Sequence, residues 1–177
     1  MRSLFTFIIS LIATLFLGTT TLADRLFFDN DSHLDRVITF FPATTTSGQT
    51  FKNPGPLFWG AGRNGTVDLS NLGPDGNPSL GWSGCVKVLF PSQDPASPVP
   101  EGKFTFHGQG DLTYFELSLV ADPNKNDGIH WIHPVNDQNP GLALGCDHFP
   151  CDGIYSKPGS VQTKSTLDTD FQIIIKE

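Results

Sequence analysis

The stretch TYFELSLVADPN, residues 113–124, puts a carboxylate where it could do chemistry. Phe115, Leu117 and Leu119 alternate with Glu116, Ser118 and Val120, the period of a strand with one buried face. Glu116 therefore points away from the apolar side. Asp111 precedes the strand, and Asp122 and Asp127 lie in the turn that follows it. Glycoside hydrolysis needs two carboxylates across the scissile bond, one as general acid and one as base or nucleophile. Glu116 with Asp122 or Asp111 is the pair this segment offers. The competing reading is an exposed strand carboxylate beside acids whose work is to form turns.

Other residues invite chemistry less directly. In His130-Trp131-Ile132-His133 the two imidazoles lie on opposite faces of an extended chain. With Cys146, His148 and Cys151 they outline a zinc set, but a secreted chain favours a disulfide over thiolate ligation, so no metal is assigned. Trp59, Trp82 and Trp131, with Phe58 and Tyr114, could stack on sugar rings, and Trp131 is the candidate binding residue among them. Core packing is the alternative for at least two of the tryptophans. There is no GxSxG, no P-loop and no dinucleotide fingerprint, and no cofactor is expected.

The elements that must position these residues are short strands. The segments 25–30, 36–43, 65–73, 82–90, 103–108, 112–120, 128–135 and 168–176 each carry apolar or aromatic residues at strand spacing, separated by Gly, Pro, Asn and Asp. The first two read as a hairpin through DSHLD. Beyond residue 23 no long stretch shows helical periodicity. Seven to nine strands at these spacings predict an all-β sandwich or flattened barrel in one domain over 24–177.

Residues 1–23 read as a secretory leader: Arg2, an apolar run from Leu4 to Leu17, and small residues up to Ala23. The run is short for a membrane span. The net charge of −7, with no Lys/Arg cluster, argues against a nucleic-acid partner. Secretion permits disulfides. Cys146 and Cys151 are the obvious pair, Cys85 bonded to either remains open, and an odd count leaves one thiol free, intermolecular or modified. Two N-glycosylation sequons occur, at Asn30 (NDS) and Asn64 (NGT).

Three segments, TYFELSLVADPNKNDGIHWIHP, ITFFPA and CDHFPCDGIYSKPGSVQTKST, resemble thaumatin-like proteins, and the spacing best suits their small fungal members. The resemblance implies a thaumatin-like β-sandwich with extended loops and an acidic cleft. Glu116 matches one cleft acid, Ala121 or Asp122 a second, and Arg63 the cleft arginine. Asp111, Asp127 and Trp131 are further candidate binding residues from the reading of the residues themselves. The family's earlier cleft glutamate has no counterpart, and three cysteines are far fewer than in plant members. The implied function is β-1,3-glucan binding at the cell wall during conidial germination or growth. The alternatives are a weak endo-β-1,3-glucanase, and an adhesin, effector or antifungal protein that binds a host surface protein or a competitor.

Overall fold

The computed structural model describes residues 23–137, 139–158 and 162–177; the leader expected over 1–23 lies, but for Ala23, outside them. The eleven strands among these residues are β1 (Arg25–Asn30), β2 (Arg36–Pro42), β3 (Leu57–Trp59), β4 (Asn64–Asp68), β5 (Ser83–Leu89), β6 (Glu101–Thr105), β7 (Thr113–Ser118), β8 (Gly128–Pro134), β9 (Leu144–Gly145), β10 (Lys164–Thr166) and β11 (Asp170–Lys176). The rest is turns and four short 3₁₀ segments. The strands form two sheets. One has the order β4-β1-β11-β8-β9, the other β10-β7-β6-β5-β2-β3. No helix among the described residues is long and apolar enough to cross a membrane.

Alternation in the sequence decides which side chains face between the sheets. In β1, Leu26 and Phe28 are buried while Arg25, Phe27 and Asp29 point outward. In β7, Phe115 and Leu117 are buried and Glu116 points outward. Aromatic rings join the two layers. Phe171 of β11 lies 4.8–5.9 Å from the rings of Phe104, Phe106 and Phe115 on the opposing sheet. Phe28 meets Phe40 edge-on at 6.4 Å, and Phe40 meets Trp82 at 5.9 Å. Edge-to-face pairs of this kind contribute about 0.5–1.5 kcal/mol each beyond the area they bury.

The expected hairpin of the first two strands does not form. β1 pairs parallel with β11 and antiparallel with β4, whereas β2 pairs with β3 and β5 in the other sheet. The connection 31–35 crosses between the layers instead of reversing within one. Asn30 builds that crossing: it is buried, and its Nδ2 donates to the carbonyls of Leu34 and Gly60, each at 3.0 Å. A register shift between Ile174 and Ile175 interrupts the pairing of β8 with β11, so Ile129 and His130 are both buried although they are adjacent.

A disulfide joins Cys146 to Cys151, and Cys85 is a free thiol. Among the described residues no three His, Cys, Asp or Glu side chains converge as metal ligands. His130 instead packs against Phe149 at 4.9 Å, with Nδ1 3.1 Å from the carbonyl of Cys146, and burial foremost holds its pKa below the usual value.

Candidate functional site

Glu116 lies on the outer face of the six-stranded sheet. Strand register places it opposite Lys103, which in turn lies opposite Cys85; one row away, Glu101 lies opposite Lys87. The side chains form a ladder of alternating charge. Lys103 Nζ is 2.9 Å from Glu116 Oε1 and 3.4 Å from Glu101 Oε1, and Lys87 Nζ is 3.9 Å from Glu101 Oε2. The other oxygen of Glu116 accepts a hydrogen bond from the Thr163 hydroxyl at 2.9 Å. Opposite charges directly across strands stabilise a sheet by about 0.2–1 kcal/mol per pair. Here they also hold long side chains in one arrangement.

Burial alone would lower the pKa of Lys103; Glu116 and Glu101 outweigh it, so the ammonium titrates above its ordinary value. Cys85 sits beside the ladder with Sγ 4.0 Å from Glu101, and burial, reinforced by that carboxylate, raises its thiol. A hollow of ≈ 430 Å³ opens beside the ladder, lined by Glu101, Lys103, Val120 and Tyr155 among others. The Lys103 ammonium stands 5.8 Å from the Tyr155 ring centroid. This face can offer paired charges, an aromatic ring and a cavity to a partner. Both oxygens of Glu116 are already engaged by donors, the Lys103 ammonium and the Thr163 hydroxyl.

The other expected site residues sit elsewhere. Asp122 caps its own turn, accepting from the amide of Asn124 at 3.1 Å. Asp127 pairs with the fully buried Arg36 at 2.7 Å. Asp111 binds His107 Nδ1 at 2.6 Å, while the buried Asp24 lies 3.1 Å from Nε2 of the same ring. Burial raises the Asp24 carboxyl to about 6, although His107 and the backbone of Trp82 pull it down. Arg63 lies in the turn between β3 and β4, where its carbonyl accepts from Asn30. Trp131 stands on the outer face of the five-stranded sheet, near the Asp147 carboxyl, which the Lys176 ammonium foremost holds below its usual range. The three tryptophans form no platform: Trp82 is buried with its indole N–H on the Lys52 carbonyl, and Trp59 packs on Phe28.

Sequence reasoning missed Glu101, Lys103 and Lys87. Each occupies an outward position of its strand, so the signal was charge at alternate positions, but their meeting depends on register. Glu101 and Glu116 are far apart in the chain and share one lysine.

No protein-family model matches the chain. The fold is that of a solved fungal elicitor: the chain is similar to the protein elicitor MoHrip2 from Magnaporthe oryzae, with a TM-score of 0.60 and 16% identity, over 86% of this chain and 98% of that one. Among curated proteins it is similar to the antigenic protein SchS21 of Stachybotrys chartarum, 28% identical over 117 residues, which span 64% of this chain and 80% of the relative. These findings overturn the thaumatin-like resemblance, because the elicitor's fold differs from that of thaumatin. The motifs that carried the resemblance, an acid on an alternating strand, a short cystine loop and a Tyr-Pro-Thr run before a last strand, suit any two-sheet β-protein with Gly- and Pro-rich turns.

Proposed function

We propose that the protein is a secreted fungal protein recognised at a host surface, and that the outer face of its six-stranded sheet is the recognition face. The observation that carries this reading is the ladder Lys87–Glu101–Lys103–Glu116 beside its hollow. Charges held in place by one another need little further ordering on binding, and alternating signs select a partner of complementary pattern. The names of the two similar fungal proteins, an elicitor and an antigen, support an outward-facing role of the same kind. So does the apolar leader expected at the N-terminus.

The test uses labelled chain 24–177 on isolated plant cell surfaces, with insoluble β-1,3-glucan in parallel. Saturable host-surface binding should weaken about tenfold, roughly 1.4 kcal/mol, in Lys103→Glu and in Glu116→Lys, and recover in the double exchange. Host binding unchanged by either exchange would overturn the assignment of this face. Glucan binding lost in the same variants, without host binding, would make the partner a wall polysaccharide.

A further inference from the structure

The two sequons have opposite surroundings. Asn30 is completely buried. Its Nδ2 gives both hydrogens to the carbonyls of Leu34 and Gly60, and its Oδ1 accepts from the backbone N–H and hydroxyl of Ser32, at 3.3 and 2.7 Å. A sugar on this nitrogen would remove one of those bonds and would have to occupy space filled by the crossing between the sheets. Asn64 stands exposed at the start of the edge strand β4, opposite Asp29, and Thr66 stands on the same face opposite Phe27. With the side-chain amide in the orientation that satisfies both neighbours, its nitrogen donates to Asp29 Oδ1 at 2.7 Å and to the Arg63 carbonyl at 3.3 Å. The single N–H left after glycosylation can keep the shorter bond.

Beside Asn64 lies a hollow of ≈ 390 Å³ on the outer face of the five-stranded sheet, lined by Phe27, Asp29, Thr66, Val135 and Gln172 among others. This size lies within the range of small-ligand sites. The Phe27 ring faces outward, and the Arg25 guanidinium stands 5.3 Å from its centroid. An aromatic ring for the apolar face of a pyranose, with a carboxylate and an amide for its hydroxyls, is a sugar-binding arrangement.

We propose that Asn64 carries an N-linked oligosaccharide whose first N-acetylglucosamine seats in this hollow against Phe27, and that Asn30 is a silent sequon. The proposal rests on passage through the secretory pathway and is independent of the host-recognition face, which belongs to the other sheet. In the transfer, the Asn64 nitrogen bonds to C1 of the sugar and gives up one proton. The C1–oxygen bond to a polyprenyl-diphosphate donor breaks, and the diphosphate leaves with the bonding pair. The attached glycan covers a half-apolar patch and shields the edge strand β4 from pairing with another chain.

The experiment secretes the full chain from a eukaryotic host and maps both sequon peptides by mass spectrometry after enzymatic deglycosylation in ¹⁸O water. The label is expected at Asn64, with Asn30 unmodified in the folded fraction. An unmodified Asn64, or a glycan on Asn30 in folded protein, overturns the site assignment. A second arm trims the glycan to its first sugar and compares melting midpoints with the glycan-free Thr66→Val chain. The trimmed protein should melt about 3 °C higher, and the difference should vanish when both carry Phe27→Leu. A difference of equal size with and without the Phe27 ring overturns the seat.

Discussion

Replacing Asp127 by asparagine should unfold this protein more readily than any surface charge change. The Arg36 side chain has 0% exposure, its Nη1 lies 2.7 Å from Asp127 Oδ1, and Asp127 itself is only 15% exposed. The guanidinium lies 4.4 Å from the Phe90 ring centroid, and its Nε donates to the Ser32 hydroxyl at 3.2 Å. The other carboxylate nearby, Glu177, is 4.0 Å away and more exposed. Asp127→Asn keeps the shape of the pair and removes the charge, leaving a buried cation uncompensated, a loss of about 3–5 kcal/mol. Glu177 offsets part of it, so about 3 kcal/mol is expected against a total of roughly 5–15. For a domain of this size that lowers the melting midpoint by about 6–12 °C. Urea titration followed by tryptophan fluorescence measures it, with the slope unchanged so that the shift in midpoint reports stability alone. Glu116→Gln, which breaks a half-exposed pair, is the control and should cost less than about 1 kcal/mol. A loss below about 1 kcal/mol in Asp127→Asn would refute the reasoning.

Other consequences follow from particular contacts. Burial alone would lower the His107 pKa, but Asp111 and Asp24 outweigh it and raise it above 6.5. The stabilisation from the charged imidazole is thus lost as pH rises through the folded value, and protonation of Asp24 near 6 removes part of it on the acid side. His107→Gln should therefore lower the melting midpoint more at pH 6 than at pH 9, and equal losses would count against the pairing. A Cβ at Gly145, where φ is +128°, would lie 1.9 Å from the His130 carbonyl oxygen. Backbone cannot yield as a side chain can, so Gly145→Ala should cost at least ~3 kcal/mol by chemical denaturation. Opening the Cys146–Cys151 bond as the double serine variant should cost about 2 kcal/mol, the closure entropy of so short a loop; a loss near zero would mean that the loop is held without it.

Much of the secondary structure was legible because side chains in a strand alternate with a fixed period. The inward set Phe104, Phe106, Phe115 and Leu117, the outward Glu116, and the first and last strands followed from that period alone. The crossing after β1 was not legible. DSHLD reads as a turn, but Asn30 uses its amide on Leu34 and Gly60, a long-range contact that sends the chain to the other sheet. The neighbours of the candidate acids were not legible either: Asp111 and Asp122 are held by residues of their own turns, His107 and Asn124, and Asp127 by the distant Arg36.

By itself, then, the sequence determined that the chain is all-β, where its longer strands run and which of their faces are apolar, since these are properties of neighbouring residues; the short strands Leu57–Trp59, Leu144–Gly145 and Lys164–Thr166 were not legible. Tertiary structure alone decided which strands are neighbours, and with that the meeting of Lys87, Glu101, Lys103 and Glu116 on one face. It also buried one sequon and exposed the other. Period along a strand is local chemistry; register between strands depends on how two sheets share one core.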